Sequence, residues 1–140
     1  MIKSERQFVA AKKQLILLEQ SVEQGSFNPD MPKSLVTGTK NGIKSLMGDL
    51  KKELFEYEQL KQNGVEAIAV ASWNDFLLVP IKYRLASNLT IEQFAQKVNV
   101  HSRQIASYEK EEYRNVTMST FTKILDEIHF NPTDFIKNVA

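Results

Sequence analysis

The stretch from Thr90 to Lys110, TIEQFAQKVNVHSRQIASYEK, restricts the fold more than any other part of the chain. Thr90 can open a helix as its N-cap, and Gln93 follows three residues later, the spacing of a capping box. Asn99 ends that helix. Gly adopts left-handed backbone most cheaply at such a point, and Asn tolerates it. A second helix begins within a few residues. Two helices joined so closely must cross steeply, and the second can pass over the first only where a side chain is small; Ala95 fits that position. Phe94 and Val98 supply the inward face of the first helix, and Val100 follows the turn. Ile105 and Tyr108, at i and i+3, pin the second helix. Its other positions, Ser102, Arg103, Gln104 and Ser107, are polar. They predict either the solvated face of an ordinary bundle helix or a helix that lies against something polar and negatively charged.

Bulk properties narrow the choice of partner. A chain of 140 residues makes one ordinary domain or two very small ones. With 42% hydrophobic and 25% charged residues it has a globular balance. The absence of Cys excludes disulfides, thiolate zinc sites and cysteine nucleophiles, and fits a reducing cytosol. The most apolar run, QLILLEQ, is far short of the roughly 20 residues that span a bilayer. The opening residues MIKSERQ lack a signal-peptide core. The expectation is a cytoplasmic protein with no membrane partner. Net charge is +1, with 10 basic and 9 acidic residues in 1–70 and 8 of each in 71–140. No half carries a bulk electrostatic grip on nucleic acid, so any such contact must come from local placement.

All five glycines lie at or before Gly64, within KQNGVEA, which marks a boundary. The predicted organisation is a helical hairpin over 1–64, a linker over 65–72 and a helical domain over 73–140. In the hairpin, Phe8, Ala11, Leu15, Leu18 and Val22 form one stripe at helical spacing between Ser4, a candidate cap, and Gly25. The stretch GSFNPDMPKSLVTG reads as a loop. From about Thr39 to Gln62 a second stripe runs through Ile43, Leu46 or Met47, Leu50, Leu54, Tyr57 and Leu60. The pair closes as an antiparallel hairpin. Ile16, Leu17 and Phe55 lie off both stripes; they either pack on the second half or mediate self-association, since a lone hairpin has little core. VEAIAVAS reads as extended linker.

The second half reads as short helices. SWND has the form of a capping box, Pro80 interrupts that helix or starts the next, and PIKYRLASN ends near Asn88. The TIEQFAQKV and HSRQIASYEK helices follow. TMSTFTKILDEI gives another, capped by Thr117 or Ser119, and NPTDFIKNV a last one, with Asn131 as cap and Pro132 in its first turn. The fold class is all-α.

LTIEQFAQKVNVHSRQIASYEK resembles the helix-turn-helix of Cro-like and phage-repressor regulators, the xenobiotic-response-element class. IKYRLASN before it and FTKILDEIHF after it are similar to that class's five-helix, lambda-repressor-like domain in order and spacing. The resemblance covers roughly Trp73 to Ala140. More loosely, the first half resembles helical extensions ahead of such domains in some bacterial regulators and HigA-like antitoxins. The resemblance implies an ion pair between Arg84 and Glu109 that locks two helices. It implies that 102–110 is a recognition helix entering the major groove, with Ser102, Arg103, Gln104 and Ser107 toward base edges. It further implies a phosphate held by backbone amides near Thr90, and flanking phosphates met by Lys97, Lys110 and Arg114. The chain departs from the usual pattern in three ways: Ile91 replaces a common Gln, Asn99 a common Gly, and Glu111 and Glu112 follow the recognition helix.

The sequence offers little else chemically. His101 and His129 lack the spacing of metal ligands. Glu53, Glu56 and Glu58 stand among Lys51, Lys52 and Lys61, the composition of a solvated helical face. No phosphate-binding glycine loop and no nucleophile–base arrangement is present, so neither catalysis, a cofactor nor a metal is expected. The expected function is sequence-specific binding of double-stranded DNA by a homodimeric transcriptional regulator. The alternative is an antitoxin-type module that neutralises a toxin through its N-terminal half and can autoregulate. A domain that no longer binds DNA is a third possibility.

Overall fold

The computed structural model describes residues 1–24 and 32–130. Among them every element is helical: α1 (Glu5–Gln24), α2 (Lys33–Asn63), a 3-10 turn (Gly64–Ala67), α3 (Trp73–Leu77), α4 (Val79–Ala86), α5 (Ile91–Val98), α6 (Ser102–Lys110) and α7 (Met118–Glu127). The chain divides into two compact units, Met1–Glu58 and Gln59–Ala140, whose boundary falls inside α2.

In the first unit, Ser4 caps α1: its hydroxyl accepts from the Gln7 amide at 3.1 Å. Gln7 reaches back and accepts from the Lys3 amide at 2.8 Å. The start of α1 lies beside the later part of α2, the antiparallel arrangement. Phe8 stacks on Tyr57 with centroids 4.8 Å apart, and the Tyr57 hydroxyl donates to Glu5 at 3.2 Å. Phe8, Ala11, Leu50, Leu54 and Tyr57 are buried. Farther along the hairpin, Leu15, Leu18, Val22, Ile43 and Met47 are only half-buried. Met47 takes the inward position and Leu46 is exposed, which decides between the two. Leu17 and Phe55 are 63% and 61% exposed, and Ile16 is exposed as well.

Two expectations are corrected here. Helix α2 starts at Lys33, six residues before Thr39. Pro32 initiates it without needing an amide, and its carbonyl accepts from Leu35 and Val36, both at 3.0 Å. Val36 and Lys40 then extend the half-buried stripe backward past Gly38 and Gly42. The rest of the expected loop, with the Gly25 cap, lies outside the described residues. The segment 65–72 is not a plain extended linker. It opens with the 3-10 turn, which packs on α4, and it buries Ile68 completely and Val70 nearly so. Its apolar residues are core, and burial outweighs their weak alternation.

The second unit is built around Phe94, Ile105, Tyr113, Phe121 and Ile124, together with Ile68 and with Val79 and Ile81 of α4. Phe76 and Tyr113 both meet Phe121 edge-on, at 5.3 Å and 6.1 Å. Pro80 both breaks a helix and starts one: α3 ends at Leu77 and α4 carries Pro80 in its first turn. Ser72 caps α3, accepting from Asp75 at 3.1 Å. Thr117 rather than Ser119 caps α7, accepting from Thr120 at 3.3 Å. The expected helix over NPTDFIKNV lies outside the described residues.

Candidate nucleic-acid interface

Helix α5 is fixed at both ends by local chemistry. The Thr90 hydroxyl accepts from the Gln93 amide at 3.1 Å, and the Gln93 side chain accepts from the Thr90 amide at 2.9 Å. At the other end Asn99 stands at φ 55°, left-handed. That conformation lets the Val100 amide donate back to Ala95 at 3.0 Å and the Asn99 amide to Gln96 at 3.3 Å, closing the helix. The chain then turns outward, and α6 begins three residues later. Ala95 is buried where α5 packs on α6.

The same turn is secured from two further places that the sequence did not single out. Lys123 of α7 donates to the Asn99 carbonyl at 3.1 Å. Nothing local signals a contact across 24 residues. His101 is the N-cap of α6, and its Nδ1 accepts from the Arg103 amide at 3.2 Å. Its place one residue before a helical run was a usable signal, although His is an uncommon cap.

Within α6, Ile105, Tyr108 and Glu109 face inward. Arg103, Gln104, Ala106, Ser107 and Lys110 are exposed, and Ser102 is half-buried at the edge of that face. Ser107 also accepts from the Asn115 side chain at 3.3 Å. Lys97 and Arg114 are exposed on neighbouring segments, and the Lys97 ammonium lies 5.9 Å from the centre of the Tyr83 ring. Glu92, Gln96, Asn99, His101 and Ser102 line an open concavity of about 540 Å³ where the outer side of α5 meets the start of α6. Glu92, Gln96, Ala106 and His101 thus join this surface without having been singled out.

Behind the face, Arg84 and Glu109 form a two-pronged pair: Nε donates to Oε2 at 2.6 Å and Nη2 to Oε1 at 2.8 Å. A third donor, Nη1, reaches the Leu89 carbonyl at 3.1 Å. The residues are only 7% and 4% exposed. A pair so buried positions α4 against α6, and the planar guanidinium is the cation whose donors match both carboxylate oxygens. Tyr113 lies close by, fully buried. Burial pushes its hydroxyl far above the usual phenol range, and the Glu109 carboxylate adds to the shift.

A family model described as helix-turn-helix matches residues 81–135. This segment is a Cro- and phage-repressor-like helix-turn-helix domain. That family is one of DNA-binding regulators, and the match runs from within α4 through α7 to the residues just beyond. The helix-turn-helix proper is α5, the turn at Asn99 and α6. No curated protein and no solved structure matches the chain significantly. No helix among the described residues is long and apolar enough to cross a membrane.

Proposed function

We propose that the protein is a sequence-specific regulator of transcription that acts in the cytoplasm and inserts α6 into the major groove of double-stranded DNA. The observation that carries this reading is the division of α6. Its inward residues are held by Ala95, Asn99 and the Arg84–Glu109 pair, while Arg103, Ala106, Ser107 and Lys110 share one exposed face. Arg103 suits the acceptor pair of guanine, Gln104 suits adenine, and Ser102 and Ser107 suit either. Lys97, Lys110 and Arg114 suit flanking phosphates. The Thr90 and Gln93 amides are engaged in the capping box, which leaves the Ile91 and Glu92 amides as the better candidates for an anion at the α5 N-terminus.

The test is selection of bound sequences from random duplex DNA, followed by titration of the selected site. Arg103→Ala is expected to lose about 1–3 kcal/mol and to relax the preference at one base pair. Undiminished, equally selective binding would remove α6 as the reading helix. The protein would act as a homodimer on half-sites about one helical turn apart. The exposed Ile16, Leu17 and Phe55, with the half-buried far end of the hairpin, support assembly through the first unit. A solution mass of one chain at micromolar concentration speaks against it. The same apolar surface supports a second reading, an antitoxin-type module that holds a toxin there. A partner protein that co-purifies with residues 1–64 and is lost on Leu17→Glu would favour it.

A further inference from the structure

The connection after α6 closes a second, smaller cavity. Its walls are Trp73 and Leu77 of α3, Tyr113, Arg114 and Val116 of the connection, and Met118 and Phe121 of α7, around about 130 Å³. Six of these seven side chains are apolar or aromatic. The seventh is Arg114, whose guanidinium makes no ion pair or side-chain hydrogen bond among the described residues. Trp73 and Met118 are 59% and 62% exposed, so two large apolar side chains stand at the opening rather than in the core. An apolar lining with one polar group at the mouth is the composition of a small-ligand site.

The wall formed by Tyr113 is held in an unusual backbone. Glu112 and Tyr113 are both left-handed, at φ 53° and 62°. For a bulky aromatic residue that conformation is strained, and strain of this kind gathers at ligand sites and switches. It is stabilised by the Tyr113 amide donating to Tyr108 at 2.7 Å and by the ring filling the core. The buried hydroxyl of the same residue has no hydrogen-bond partner among the described residues.

We propose that this cavity binds a small planar aromatic carboxylate. The ring would lie among Trp73, Met118 and Phe121, and the carboxylate would pair with Arg114. Size limits the class: an enclosed apolar cavity of about 150 Å³ takes one benzene ring, so this slightly smaller, open-mouthed cavity matches one ring with its carboxylate at the mouth better than a fused pair. Charge sets the rest, since a guanidinium pairs with a carboxylate through two parallel donors. Occupancy would also draw Arg114 away from a flanking phosphate. That consequence rests on the DNA-binding reading, whereas the binding itself does not.

Trp73 is the chain's one tryptophan, so its fluorescence reports on the cavity directly. The whole chain, without DNA, is titrated with benzoate, benzylamine and 2-naphthoate. Benzoate is expected to give a saturable change at a concentration at least about fivefold lower than either of the others. In Arg114→Gln, an exposed change that leaves the core intact, benzoate is expected to weaken to the level of benzylamine. No saturable change with benzoate overturns the proposal. So does tighter binding of 2-naphthoate, the behaviour of an open greasy surface, or an unchanged preference in Arg114→Gln. Because DNA is absent, failure here leaves the reading of α6 untouched, and failure of selected DNA binding leaves this site untouched.

Discussion

The two units use backbone freedom in opposite ways. Four of the five glycines fall in α2 or immediately after it, and Gly38, Gly42 and Gly48 sit inside the helix with nothing within 4 Å of the position a Cβ would take. The second unit beyond Gly64 has no glycine at all. Yet it ends four helices with a residue in the left-handed conformation: Asn88, Asn99, Glu112 and His129. Each end closes with the same pair of reversed hydrogen bonds, such as Leu89 to Arg84 with Asn88 to Leu85, and Phe130 to Leu125 with His129 to Asp126. The first unit thus holds freedom where geometry does not require it, and the second makes its left-handed turns without glycine, at two Asn that tolerate them and at Glu112 and His129. At the two turns without Asn, tertiary packing supports the conformation: Tyr113 and Phe130, which follow Glu112 and His129, are buried. In the first unit burial fades along the hairpin, and the glycines lie in the part where it has faded.

The contrast can be broken most forcefully at its tightest point. Glu109→Ala strands the Arg84 guanidinium in the core and is expected to cost about 3–5 kcal/mol. Thermal and urea unfolding would show it. A loss below 1 kcal/mol would mean that the pair is not the clamp between α4 and α6. Next, Ile105→Ala is expected to cost about 2–5 kcal/mol, and Leu18→Ala in the half-buried part of the hairpin distinctly less. Equal losses would mean that a partner completes the hairpin core in solution. A smaller effect of opposite sign belongs to His129→Gly, which relieves a left-handed side chain and should raise stability by up to about 1 kcal/mol. Smallest is Gly42→Ala, expected to stabilise α2 by about 0.4–1 kcal/mol in a urea titration. Destabilisation together with a lower solution mass would instead identify Gly42 as a point of close approach by a second helix.

Where the sequence was readable, it was readable through local chemistry. The Thr90–Gln93 capping box, the left-handed Asn99 and the small Ala95 each need only a few neighbouring residues, and they define the helix-turn-helix. The stripes of α1 and α2 were legible for the same reason, since spacings of three and four are local. Other features depend on distant packing. Lys123 meets the turn only because α7 is folded against α5. Ile68 and Val70 become core only because α4 covers the 3-10 turn. The early start of α2 was hidden because Pro and Gly, read as loop punctuation, are tolerated at a helix start and on a helix's exposed side. The cavity beside Tyr113 had no sequence signature, since its walls come from three separate segments.

The cap at His101 has one more consequence. Because His101 Nδ1 accepts a hydrogen bond from the Arg103 amide, the tautomer of the neutral ring that fits this cap carries its N–H on Nε2. With Nδ1 committed to the cap, Nε2 is the remaining polar atom of this exposed ring at the start of α6, so one side chain both closes the helix end and keeps a second nitrogen uncommitted to it.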